Sequence, residues 1–189
     1  LGLHGFAMSR FAGVWVGVKT VTEVVEASAS VIVDPERVDI VLPTDFAMPA
    51  EGLNIRWPDT PLQQEARLLD YKLYAALAYC RANKLNYTVI DSPNARFGIV
   101  ASGKAYLDTR QALADLGLDE DTCARIGIRL FKCGMVWPLE AQTIRGFAEG
   151  LEEILVVEEK RQLIEYQFKE ELFSWIGSGK RIPRVIGKF

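Results

Sequence analysis

Histidine and paired cysteine are what this sequence has least of. Its one histidine, His4, lies far in sequence from Cys80, Cys123 and Cys133, and no two cysteines form a C-x-x-C pair. The usual metal-ligand spacings are therefore absent, and the cysteines read as free, buried thiols of a reducing compartment. Long apolar runs are missing as well. None approaches the roughly 18 residues of a membrane-spanning helix, and the start has no charged-then-apolar signal peptide. Nor is there a basic excess: a formal charge of −3 and a pI near 5.3 leave nothing to displace counterions from a phosphate backbone. Nucleic acid and membrane are thus both unexpected partners, and the cytoplasm is the expected location.

What is present is material for a core. Apolar residues make up 49% of the 189 residues and charged ones 25%, the balance of a globular protein with room for one good domain and an appendage. The chain opens on Leu1 without a methionine and closes on Gly187-Lys188-Phe189, so a segment of a longer polypeptide is expected.

From Phe6 to Ser30 the residues are mostly apolar or small, and Val14, Val18, Val21, Val24 and Val25 share a helical face, interrupted by Gly13 and Gly17. Val31 to Val33 and Val38 to Leu42 are β-branched runs around an Asp34-Pro35-Glu36 turn. Pro43, Pro49, Pro58 and Pro61 then mark an extended connector. Thr60-Pro61-Leu62-Gln63 is a helix start with a capping box. It leads into a helix ending near Asn83, with Leu62, Ala66, Leu69, Leu73, Leu77 and Cys80 on one face. Tyr71, Tyr74 and Tyr79 form a packing or interface set on that helix.

Beyond it the pattern alternates. Tyr87 to Asp91 and Arg96 to Ala101 read as strands; the link is too short for a parallel crossover, so as neighbours they would pair antiparallel. A helix from Lys104 to Gly117, a strand Ile126 to Phe131, a helix Pro138 to Gly150, a strand Ile154 to Val157 and a helix Arg161 to Trp175 follow. Continuous apolar strands alternating with amphipathic helices imply a mostly parallel sheet covered on both faces, with one antiparallel edge.

Two places carry a candidate site. Gly98 to Ala105 matches a phosphate-binding loop except at its last position, where Ala105 lacks the hydroxyl that would meet magnesium. Ile99, Val100 and Ala101 read as buried strand, so the better reading is a strand turning into a helix. The Ser102-Gly103-Lys104 turn is left as an anion site at the helix start. Glu158 and Glu159 follow the strand ending at Val157, at the sheet edge where ligands and partners are met; acids there also suit the start of the next helix. Gly177-Ser178-Gly179-Lys180 follows a helix and reads as its exit turn. His4, Ser9 and Arg10 make no hydrolytic triad. Glu152 with Glu153, and Glu170 with Glu171, read as solvated faces.

Taken in order, His4 to Arg10, Trp15 to Thr20, Glu26 to Ser30, Phe97 to Lys104, Val156 to Lys160 and Arg181 to Phe189 resemble the large chain of indolepyruvate ferredoxin oxidoreductases. The resemblance implies that residues 1–33 close a pyrimidine-gripping domain, that 34–60 link, and that 61–189 form a transketolase C-terminal-like domain. That domain is an α/β/α sandwich with a mostly parallel sheet and one antiparallel edge strand. It also implies a parent enzyme that oxidatively decarboxylates arylpyruvates to acyl-coenzyme A, using thiamine diphosphate, magnesium and iron–sulfur clusters, with ferredoxin as electron acceptor and self-association into a homo-oligomer. The cluster cysteines, the magnesium–diphosphate motif and the activating acid have no counterpart here. No catalytic residue or metal ligand is thus assigned, no cofactor is expected on this segment alone, and its role is structural, with Glu158 and Glu159 at an interface. A different class of function, a coenzyme A or nucleotide binding module built on Ser102, Gly103 and Lys104, is the alternative.

Overall fold

The structure is a computed structural model and describes residues 1–188. Contacts divide the chain into two compact units, one ending at Leu85 and one beginning at Asn86. This division falls inside the 61–189 segment of the sequence reading.

In the first unit, α1 (Gly2–Ala12) ends where Gly13 turns left-handed at φ 66° and donates its N–H to Ser9. A side chain there would place Cβ 1.9 Å from the Leu53 carbonyl, so only glycine allows this approach. The helix expected through Ser30 does not continue. Only one further turn forms, α2 (Thr22–Val25), with no buried residue. A valine-rich stretch has modest helix propensity, and without a face to bury a short helix is marginal. The expected strands at 31–33 and 38–42 are also absent. Val41 instead meets the side chain of Asn83, which accepts from its N–H at 2.9 Å and donates to its carbonyl at 2.8 Å. One amide side chain thus takes the place of a partner strand.

The long helix forms as read, from Pro61, with the reciprocal Thr60–Gln63 capping box in place. It has three parts: α3 (Pro61–Arg67), a π-helical turn over Leu68–Lys72 and α4 (Leu73–Ala82). The wider turn breaks the 3.6-residue phase. This is why the expected apolar stripe is split: Leu62 and Leu69 are exposed, whereas Ala75, Ala76, Ala78, Tyr79 and Cys80 are buried. Tyr71 and Tyr74 face solvent. α1 packs on α4, with the Phe11 and Tyr79 rings 6.2 Å apart and Lys72 Nζ donating to the Gly13 carbonyl at 2.9 Å.

The second unit is a five-stranded sheet in the order β1-β3-β2-β4-β5. The strands are β1 (Asn86–Ile90), β2 (Phe97–Ser102), β3 (Ile128–Cys133), β4 (Glu153–Val157) and β5 (Arg184–Ile186). All neighbours are parallel except β1 and β3. The expected direction of β1 is right, but β1 and β2 are not neighbours, because β3 lies between them. Six residues connecting them suffice to cross one strand, whose spacing is about 4.8 Å on each side.

Alternate strand residues feed two cores, as a doubly covered sheet requires. Val100, Phe131, Cys133, Ile154 and Val156 pack under α7 (Ala141–Ala148) and α8 (Ile164–Phe173). On the other face, Ile90, Ile99, Ala101 and Leu130 pack under α5 (Gly103–Asp115) and α6 (Glu120–Ile126). Helix α6 was not expected. Asp119 caps it by accepting from the Thr122 N–H, and Gly127 closes it at φ 91°. Its last residue, Ile126, is where the sequence pattern starts the following strand, which begins instead at Ile128. The architecture is the three-layer α/β/α sandwich with one antiparallel edge that the sequence implied.

Candidate functional site

Strand β2 hands the chain to the α5 face, while its neighbour β4 hands it to the α8 face. Such a divergence opens a crevice at the carboxyl ends of the strands. The register pairs Ala101 with Val157, so the next residues along the chain are Ser102, the last of β2, and Glu158, just past the end of β4. The two candidate sites read separately from the sequence therefore stand side by side at one edge of the sheet.

Ser102 is the N-cap of α5, in extended conformation at φ −139° and ψ 152°, but its hydroxyl does not cap the helix. It donates to the Cys133 carbonyl on β3 at 2.8 Å. Gly103 turns at φ 55° to start the helix. Lys104 lays its Nζ on the Asp108 carboxylate, 2.7 and 2.8 Å from its two oxygens. The ammonium is thus engaged one turn along its own helix.

Glu158 has a clear local task. The N-cap of α8 is Leu163, whose side chain offers no acceptor. The loop folds back so that Glu158 Oε1 accepts from the N–H groups of Leu163 at 2.9 Å and Ile164 at 2.8 Å, and Oε2 from that of Glu165 at 3.1 Å. Three otherwise orphaned amides are satisfied by one carboxylate, which also sits on the positive end of the helix dipole. Glu159 is exposed, and its carbonyl accepts from Lys188 Nζ at 2.7 Å.

Two fully buried acids were not singled out in the sequence. Glu140 caps α7, accepting from the N–H groups of Gln142 and Thr143 and from the Thr143 hydroxyl. An acid ahead of a helical run was the signal available. Glu165 pairs with Lys169 and accepts from the Lys188 N–H at 2.8 Å, tying the tail to α8. Nothing local in the sequence marks it.

The remaining candidates are structural. His4 Nδ1 lies 3.1 Å from the Tyr79 hydroxyl, and burial pushes the imidazole below its ordinary range. The cysteines are all buried, and burial raises the Cys123 thiol. Gly177 and Gly179 make a left-handed exit turn in which Ser178 bonds back to the Trp175 carbonyl. Among the described residues no cluster of three His, Cys, Asp or Glu could hold a metal, and no helix is long and apolar enough to cross a membrane.

Comparison with known proteins gives this arrangement its context. Residues 86–189 match the family model of the indolepyruvate ferredoxin oxidoreductase middle domain. The indolepyruvate oxidoreductase subunit IorA of Methanothermobacter thermautotrophicus is 27% identical over 98% of this chain and 28% of its own length. The IorA subunit of Thermococcus kodakarensis is 32% identical over 48% of this chain and 12% of its own. The chain thus spans well under a third of these relatives. Among solved structures, the 2-oxoglutarate:ferredoxin oxidoreductase of Magnetococcus marinus aligns over 72% of this chain and 22% of its own, at 14% identity and a TM-score of 0.42. The family match takes in the whole second unit, sheet and helices together, and on it the chain belongs to the indolepyruvate ferredoxin oxidoreductase middle-domain family.

Proposed function

We propose that this chain serves as a scaffold within a larger thiamine-diphosphate-dependent indolepyruvate ferredoxin oxidoreductase, bracing the domains that hold the cofactor. In this reading the parent oxidatively decarboxylates arylpyruvates to acyl-coenzyme A, passes electrons through iron–sulfur clusters to ferredoxin, and self-associates. The chemistry belongs to the cofactor, and the protein positions it. Residues 1–33 complete the neighbouring pyrimidine-binding domain, and the α/β unit supports it. Glu158 keeps the turn after β4 in shape, and Glu159 beside it meets the neighbour. The chain alone has no activity.

One observation carries this reading. In the first unit large apolar residues stand in solvent: Trp15 is fully exposed, Trp57 is 92% exposed and Ile32, in the middle of three consecutive β-branched residues, 85%. Scattered apolar residues on a surface are ordinary, but a contiguous run marks a surface made to be covered. Each such side chain gains about 1.5–3 kcal/mol on burial. Amide hydrogen exchange tests it. Val31 to Val33 should exchange fast in this chain and be protected in the full-length parent. Equal, fast exchange in both would overturn the proposal. The phosphate-binding alternative requires Lys104 to leave Asp108. A rise in melting temperature of this chain with coenzyme A or ATP would favour it.

A further inference from the structure

On the α7/α8 face of the second unit an open groove of about 300 Å³ is lined by Trp137, Pro138, Leu139, Ile144, Tyr166 and Glu170, with Gln167 and Glu171 completing it. We propose that this groove binds a basic side chain, arginine above all, presented by a short apolar segment of a partner protein. The site is distinct from the β2/β4 edge and does not rest on the scaffold reading.

The groove is held rigid. Gln167 commits its whole amide to the wall, accepting from the Leu139 N–H at 2.9 Å and donating to the carbonyls of Val136 at 2.9 Å and Leu163 at 2.7 Å. The segment carrying Trp137 is thereby fixed against α8. Leu139 and Ile144 make an apolar floor, both buried. The rim holds two aromatic rings in solvent, Trp137 at 58% and Tyr166 at 43% exposure.

Charge selects the occupant. Glu170 follows Tyr166 by four residues, so the ring and the carboxylate stand one above the other on α8. Glu171 pairs with Arg145, but Glu170 has no hydrogen bond or ion pair among the described residues. An acid without a counter-charge in a groove that also carries a Trp and a Tyr ring is complementary to a guanidinium, which can stack on a ring while donating to the carboxylate. A neutral apolar segment would leave Glu170 desolvated and unpaired, and an acidic one would be repelled.

The test is an NMR titration of this chain with the peptide acetyl-Ala-Leu-Arg-Leu-Ala-amide, followed at the Trp137 indole N–H. The same peptide with citrulline in place of arginine is the neutral control. A saturable shift is expected with the arginine peptide. Glu170→Gln, on an exposed position that should not disturb folding, should weaken it about 3-fold, within the range of an exposed ion pair. Trp137→Ala, read at the Tyr166 ring, should weaken it about as much, and the citrulline peptide should bind more weakly still. The proposal fails if no saturable shift is seen at millimolar peptide, if citrulline binds as well as arginine, or if Glu170→Gln leaves the affinity unchanged.

Discussion

The two units solve the burial problem in opposite ways. From Asn86 onward the chain has a sheet whose two faces each carry a core, in which Phe131, Phe168, Leu130, Ile154 and Val100 are fully inaccessible. Up to Leu85 the well-buried residues are few, chiefly Met8, Ala12, Leu53 and one face of α4, while Val16, Val18, Val24, Val25, Val31 and Val33 lie open. A unit that closes its own core is stabilised from within. One that leaves its apolar residues outside depends on what covers them.

That contrast can be broken, and the sharpest attempt is in the second unit. Phe131 packs against Phe147, with ring centroids 4.8 Å apart, and against Phe168 at 6.4 Å. Phe131→Ala should cost about 3–5 kcal/mol, measured by urea unfolding followed through the buried Trp175. A loss below about 1 kcal/mol would mean the core is not shared as described. Gly98→Ala should cost about 1–3 kcal/mol. Its Cβ would lie 2.6 Å from Leu151 Cδ1 and 2.9 Å from Phe147 Cζ, a position with no spare room. Glu158→Ala should cost about 0.5–2 kcal/mol with some loss of helical signal, because α8 would lose its cap. Unchanged stability and ellipticity would remove that role.

In the first unit the expectation reverses. Ile32→Asp in this chain should change stability by no more than about 0.5 kcal/mol, since nothing packs there. A larger loss would show that the open valines are already covered. The smallest effect concerns the exposed pair at the start of β4. The side-chain hydrogen bond from Arg96, with Arg181 adding its charge, holds the Glu152 carboxyl below its ordinary range. A depressed carboxylate contributes stability that is fully present above its unfolded pKa of about 4.5 and is lost as pH falls through the lower folded value. Melting curves of the wild type and Arg96→Ala should therefore converge on acidification. A gap that persists at low pH would exclude this pair as its source.

Much of the second unit was legible because local signals and global packing agree there. Its β-branched strands and closing glycines each have a local cause, as does the capping box of Thr60 ahead of Pro61 in the first unit. What escaped was non-local. No residue in Tyr87 to Ala101 states that β3 will lie between β1 and β2, and the π-helical turn at Leu68–Lys72 leaves no mark on the apolar spacing it shifts. At the candidate site, the place of Glu158 at a helix start was readable from its neighbours. Its reach to three amides, and the engagement of Lys104 by Asp108, depend on rotamers that no periodicity encodes.

The insertion of β3 also sets a schedule for synthesis. Asn86 finds its partner only in Cys133, and β2 meets β3 along its full length over the same span. As the polypeptide leaves the ribosome, β1 and β2 emerge first and neither has the other to lean on. The nascent chain must carry two unpaired strand edges until the sequence through Cys133 is out, the interval in which a chaperone or a slow stretch of codons would matter most.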